Sequence, residues 1–444
     1  MSKKLIAAVV ITGGLLATVP FYFSGHFAHQ ALISQLELVR KPYQDAMQFI
    51  ETDTQSGLYS SSFGYDVTLD LTNPQFAPLK QDIEGDTLTL HIDNQMRHGF
   101  LSVSIESVFS GQAKTLFDKA MEKLQLKKAD ETRPMAQLTT DASFSVTGEY
   151  TMNTHFDLQG LTMQNQNDLG ELVTMTTQPM QMSGTLAADI LSYKANYGDI
   201  TIGLPDSTIT VNQLTANGSA TILPPAEQQI SAFGDQHFKL NLKSISMIQA
   251  DKKAEVLSDL IWAFTVTLKD GRGEFNNELS VAKIGNPQMP VTQIEDLVFN
   301  FTADMGLKAA KAYYEAAKKL PVSPDDPTAA MKLFANLLSE DINVNLNSIK
   351  AKTISGPVDL IGNINIGAVD PAQFSENPMV ALQGLKYAIS GEIPKGLVMM
   401  SGQLPPEFID NLLQQQMIEL KDQQIVFKLT GESGSINLND KPLM

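Results

Sequence analysis

Six histidines are the side chains in this 444-residue sequence best suited to proton transfer or metal binding, because an imidazole titrates near neutral pH and its ring nitrogens are good ligands. His26 and His29 lie three apart and share a face of a helix, but no carboxylate follows at helical spacing before Glu37, so the pair reads as interfacial polar residues. His91 and His98 are seven apart and face opposite sides of an unbroken strand, unless a turn intervenes. His98, beside Gly99, reads as a turn residue rather than a base. His155 falls on the polar parity of a strand and reads as solvated.

The carboxylates lead no further. Asp66 and Asp70 point the same way from a strand, about 13 Å apart, beyond the ~5–9.5 Å of glycosidase pairs. Gly431-Glu432-Ser433-Gly434 lacks the spacing and the strand-to-helix setting of a nucleophile elbow. Gly271-Arg272-Gly273 lacks the third glycine of a dinucleotide fingerprint and sits in a hairpin. There is no phosphate-binding loop, no HExxH and no EF-hand pattern. The sequence therefore offers no catalytic, cofactor-binding or metal-ligating residue, and a non-enzymatic role is expected. The absence of cysteine removes disulfides, thiolate metal sites and an N-terminal lipidated Cys. A formal net charge of −17 argues against nucleic acid and against lying flat on anionic lipid.

The elements that must position these residues are strands. Phe63, Tyr65, Val67, Leu69 and Leu71 alternate with Asp66, Thr68 and Asp70; Leu88, Leu90 and Ile92 alternate with Thr89 and His91; Leu101, Val103 and Ile105 alternate with Ser102 and Ser104. The longest alternation runs from Phe144 to Leu158 and predicts one strand approaching ~50 Å. The pattern returns at 200–204, 209–211, 238–242, 264–268, 342–346, 364–366 and 425–429. Asp270-Gly271 predicts a hairpin turn, and Asn217-Gly218 gives a weaker signal of the same kind. A strand, a glycine and another strand recur irregularly at Gly148, Gly184, Gly218, Gly356 and Gly391. Helices are expected over Lys114–Lys127, Leu307–Leu320, Pro327–Leu338 and Phe408–Leu420. Nineteen methionines suit core filling or an adaptable binding surface.

The N-terminus sets the expected address. Lys3 and Lys4 precede an uncharged run from Leu5 to Phe23, long enough for a helix to cover most of a ~30 Å hydrocarbon core. The two lysines should stay in the cytoplasm and send the rest across. The run exceeds a usual signal-peptide core, and His26-Phe27-Ala28 is a poor cleavage site, so an uncleaved anchor is favoured over a cleaved signal. A helix should follow over Gly25–Ile50, interrupted near Pro42, with Ala46, Met47, Phe49 and Ile50 resuming its apolar stripe.

Three stretches carry a resemblance. Ser56-Gly57-Leu58-Tyr59-Ser60-Ser61 is similar to an Arg-Gly-x-Phe-Ser-Ser element. His98-Gly99-Phe100 resembles His-Gly-Pro. Gly434 to Pro442, with Asn439, Asp440, Lys441 and Pro442, is similar to a closing Gly-x-Leu-x-Val-Asn-Gly-Lys-Pro. Together they resemble the YdgA-like family of Gram-negative envelope proteins, which also contains YihF. Ser56 stands for that family's Arg, Phe100 for its Pro and Asp440 for its Gly. The resemblance implies an inner-membrane protein facing the periplasm and supplies no activity.

The expected fold is a β-rich α+β one: an N-terminal transmembrane helix, then long, antiparallel, twisted sheets with a few amphipathic helices. Expected regions are a signal anchor at 1–24, a juxtamembrane helix at 25–51, β-rich regions at 52–225 and 226–320, the second with a helix, and a C-terminal α+β region at 321–444. Strands with one apolar face outnumber the helices able to cover them. The expected role is a membrane-anchored periplasmic binding or scaffold protein of the cell envelope, holding a lipid-like ligand or a protein partner on a large apolar sheet face. The rival readings are an envelope hydrolase with an unrecognised site and a purely structural homodimer.

Overall fold

The computed structural model describes residues 46–56, 60–73, 76, 80, 85–99, 102–110, 126–128, 132, 136–144, 150–166, 171–187, 189–223, 233–249, 252–286, 289–319, 335–400 and 405–443. The expected anchor, with Lys3, Lys4, Leu5 and Phe23, lies outside these residues, as do Gly57, Tyr59, Phe100 and nearly all of the helix expected over Lys114–Lys127. Among the described residues no helix is long and apolar enough to cross a membrane. Strands dominate, and the chain divides into two compact units, Met1–Ser219 with Met247–Lys252, and Ala220–Ser246 with Lys253–Met444.

The first unit holds β1 (Met47–Ser56), β2 (Ser60–Asp70), β3 (Thr87–Gly99), β4 (Ser102–Ser110), β5 (Leu126–Lys128), β6 (Ala136–Phe144), β7 (Tyr150–Leu158), β8 (Leu161–Gln166), β9 (Leu172–Thr177), β10 (Met180–Ala187), β11 (Ile190–Tyr197), β12 (Ile200–Leu204) and most of β13 (Ser207–Ile222). Pairing runs β1-β2-β3-β4-β6-β7-β10-β11 and continues through β13 to β12, β9, β8 and β5. The two-residue alternation puts Phe63, Tyr65, Val67 and Leu69 on one face of β2, against Asn94, Ile92, Leu90 and Leu88 of β3. This face is sealed: Val67 and Leu71 are 0% exposed, and Leu69, Leu88 and Leu90 are 1% exposed. Each such aliphatic side chain contributes roughly 1.5–3 kcal/mol by leaving water. The polar Asn94 on this face is satisfied by the carbonyls of Phe63 and Ile92 and by the Ser107 hydroxyl.

The second unit holds most of β14 (Phe233–Gln249) and β15 (Lys252–Lys269), with β16 (Arg272–Asn286), β17 (Met289–Gly306), β18 (Ile342–Thr353), β19 (Gly356–Ile366), β20 (Leu385–Pro394), β21 (Glu419–Lys421), β22 (Gln424–Glu432), β23 (Ser435–Leu438) and β24 (Lys441–Pro442). Pairing from β15 to β20 follows chain order, β20 pairs β22, and β22 pairs β21 along its first half and β23 along its second. Four hairpins close on two-residue turns with both φ angles positive: Asp270-Gly271 (52°, 76°), Asp422-Gln423 (49°, 66°), Ser433-Gly434 (52°, 85°) and Asn439-Asp440 (48°, 61°). That backbone matches the right-handed strand twist, and Asp, Asn and Gly tolerate it best. Among the described residues the helices are α1 (Leu307–Lys319), α2 (Pro371–Glu376), α3 (Val380–Gln383), α4 (Lys395–Met400) and α5 (Pro406–Gln414), and residues 335–337, within the helix expected over Pro327–Leu338, are also helical. Ile409 and Leu412 of α5 join Ile418, Ile425 and Leu438 in a buried cluster, so α5 covers the β22 end of the sheet.

Several expectations need correction. The stretch Met47–Ile50 is strand, not helix: it opens β1, where Met47 and Phe49 lie opposite Leu69 and Val67. Burial against a neighbouring strand overrides a pattern that fits helical spacing locally. The single strand expected over Phe144–Leu158 is a hairpin, with Phe144 opposite Tyr150. Asn217-Gly218 makes no turn, because β13 runs through it, and Gly184 and Gly391 also lie within strands. The helix expected to Leu420 stops at Gln414, and Glu419–Lys421 is strand. Leu126 and Lys127 belong to β5. The turn at Asp270-Gly271 and the helix from Leu307 are as expected.

Candidate functional site

Catalysis is tested first at His91. The β2/β3 register sets Asp66 opposite His91 and Gly64 opposite Asp93, all on the face away from the sealed core. His91 Nδ1 lies 2.5 Å from Asp66 Oδ1, and Nε2 lies 3.2 Å from Asp93 Oδ1. Gly64 is required here, since a β-carbon would come within 2.4 Å of Thr52 Oγ1 and 3.1 Å of His91 Cε1. The hydrogen bond to Asp66, reinforced by Asp93, raises the imidazole above its ordinary pKa. Both ring nitrogens are taken up by carboxylate oxygens, so His91 acts as a polar rivet between β2 and β3. A hollow of about 460 Å³ beside it, lined by Gln55, Ser62, Phe63, Asp93, Glu106 and Val108 among others, mixes polar and apolar walls and presents no histidine, lysine or cysteine.

The other candidates stay apart. His155 sits on the polar face of β7 opposite Thr139 and Ser183. His98 pairs with Val103 at the end of β3. Asp66 and Asp70 share a face but serve separate ends: Asp66 holds His91, and Asp70 accepts from the Thr72 amide and hydroxyl at 2.8 and 2.7 Å. The Tyr65 hydroxyl is buried without a partner, and burial, with Glu51 adding to it, pushes the phenol up, so it stays protonated. Arg272 follows the β15–β16 turn and donates to Asp304 (Nε, 2.6 Å) and to Asp341 (3.2 Å), with the Asp341 carbonyl at 3.1 Å. Among the described residues no His, Asp or Glu cluster could hold a metal ion.

The motif positions that carry the resemblance do structural work. Ser61 lies opposite Ser56 and Met96, and Ser60 lies opposite Arg97, so the described parts of the first two motifs meet at one end of the β1–β3 sheet, where His98 and Gly99 lie opposite Val103 and Ser102 of β4. At the third motif, Asn439 donates its amide to the Lys428 carbonyl at 2.8 Å, and its side chain accepts the Lys428 amide at 2.6 Å. Lys441 Nζ reaches the Gln415 carbonyl at 2.6 Å, where α5 ends, and Pro442 lies opposite Asn437. A cation on an orphan helix-terminal carbonyl satisfies the group and opposes the helix dipole.

What the second unit presents instead is an apolar face. Register alignment gathers Leu260, Trp262, Phe264, Val266 and Leu268 of β15 with Phe275, Leu279 and Val281 of β16 and Leu297, Phe299, Phe301, Ala303 and Met305 of β17. It continues through Ile342, Val344, Leu346, Ile349 and Ala351 of β18 to Val358, Leu360, Ile364 and Ile366 of β19. Only Val266, Val281 and Ala303 among these are buried; the rest are half-buried, and Trp262 is 39% exposed. The contrast with β2 and β3 is direct: there leucines fall to 1% exposure, while here most side chains stay partly exposed. The one polar residue on this face, Asn277, accepts the Trp262 indole N–H at 3.0 Å.

A model of the family described as bacterial protein of unknown function (DUF945) matches residues 1–444. No curated protein and no solved structure matches the chain.

Proposed function

The chain belongs to the bacterial family DUF945, and we propose that within it this protein is a YdgA-like, non-catalytic binding or scaffold protein of the cell envelope. It is tethered to the inner membrane by the Leu5–Phe23 run, with the bulk of the chain in the periplasm. The observation that carries the binding role is the half-open apolar face of β15–β19. Apolar surface of this extent on a soluble body marks a site of association. The engagement of both His91 ring nitrogens by carboxylates, and the wide spacing of the remaining histidines and carboxylates, favour binding over hydrolysis.

Native mass spectrometry of the full chain, extracted from membranes in a mild detergent, tests this reading. A stoichiometric bound mass, lipid or protein, is expected. A bare chain at every detergent condition that preserves its fold would overturn it.

A further inference from the structure

We infer that the occupant of the β15–β19 face is the hydrocarbon of individually bound lipid molecules. This rests on the proposed binding role and narrows it to one chemistry.

The composition of the face argues against a protein partner. From Leu260 to Ile366 it presents no charge, and its only polar side chain, Asn277, is already engaged by Trp262. Five strands at ~4.8 Å spacing and about nine residues at ~3.3 Å give a patch of about 700 Å². One side of a stable protein interface takes about 800 Å² and shares about ten hydrogen bonds with its partner. This face approaches the area and offers no free hydrogen-bonding side chain, which disfavours a selective protein partner. Two such faces would bury about 1,400 Å² together, below the roughly 2,000 Å² and more of obligate apolar dimers, which disfavours a second copy. Alkyl chains need no polar partner and follow a twisted surface, and the aromatic side chains of Phe264, Phe275, Phe299 and Phe301 give them a broad floor.

A bilayer surface is the other source of hydrocarbon, and electrostatics disfavour it. Docking on anionic lipid uses uncommitted lysines and arginines. Here Lys243 is paired with Asp259, Arg272 with Asp304 and Asp341, Lys350 with Asp359 and Lys352 with Asp296. The formal charge of −17 opposes such contact further. Single lipids held on the face avoid that repulsion.

The test places a photoreactive residue on the face, Leu346→p-benzoylphenylalanine, in the full chain. Asn345→p-benzoylphenylalanine, exposed on the opposite face of β18, is the control. The protein is extracted in mild detergent, passed through gel filtration and only then irradiated; adducts are identified by mass. The expected result is a lipid adduct at position 346 several-fold above that at 345. A protein adduct, whether a second copy or another chain, overturns the inference and leaves the binding role standing. Detergent adducts alone, or lipid adducts seen only when irradiation precedes extraction, overturn it too. A variant that elutes as aggregate is replaced by Phe301→p-benzoylphenylalanine, which neighbours Leu346 across β17 and β18.

Discussion

Replacing Arg272 with alanine should loosen the second unit by about 2 kcal/mol. The guanidinium joins β16 to the end of β17 through Asp304 and to the approach to β18 through both the side chain and the carbonyl of Asp341. A hydrogen bond to a charged group is worth about 1.5–3 kcal/mol, and one-third exposure of Arg272 and Asp304 places the sum of these contacts near the lower end. Arg272→Lys keeps the charge but loses the planar fork, so it should recover about half. Acid adds a second readout. The Arg272 hydrogen bond holds Asp304 below the ordinary carboxylate range. A depressed folded pKa gives stability that is full above the unfolded value near 3.8 and is lost as pH falls through the lower folded value. That component should vanish in Arg272→Ala. Urea unfolding at pH 7 and pH 3, followed by Trp262 fluorescence, measures both effects. Equal midpoints for wild type, Arg272→Lys and Arg272→Ala at pH 7 would refute the reasoning.

Two further predictions are read by circular dichroism, which follows both units, since Trp262 lies in the second alone. Leu69→Ala, in the sealed face of the first unit, should cost about 3 kcal/mol, while Leu346→Ala on the half-open face should cost about 1 kcal/mol, because little cavity forms where solvent or lipid already reaches; equal costs would mean that the second face is sealed. At His91, hydrogen bonding to Asp66 raises the folded pKa, so its contribution is full below ~6.5 and is lost as pH rises through the raised value. Melting temperature should therefore fall between neutral and alkaline pH in wild type and stay flatter in His91→Gln; parallel profiles would remove the rivet.

Much of the architecture is legible as alternation. Phe63 to Leu71 and Leu88 to Ile92 assign their own faces, because strand side chains alternate whatever the neighbours are. The hairpin at residues 144–150 is hidden for a physical reason. Paired residues share a face, and five residues separate Phe144 from Tyr150, so the alternation passes through the turn unbroken. Asp422-Gln423 is missed because Gln rarely accepts positive φ, and β1 is missed because Met47, Phe49 and Ile50 fit a helical stripe locally. His91 and Asp66 each fall on the polar side of their own strand's alternation, but only the register brings them to 2.5 Å. The apolar residues of β15–β19 are visible in advance; that most of them stay partly exposed is a property of layers, which strand periodicity does not encode.

The partial exposure of that face reaches into the protein's thermal behaviour. Heat capacity of unfolding tracks apolar surface newly exposed, about 12–15 cal/mol/K per residue in proteins with sealed cores. A sheet that already shows Phe, Leu and Ile side chains to its surroundings has less to expose. Its stability curve should be shallower, with a low maximum and a broad temperature range over which folding changes little. Filling the face would deepen that curve, so the calorimetric trace of the protein reports whether the face is occupied.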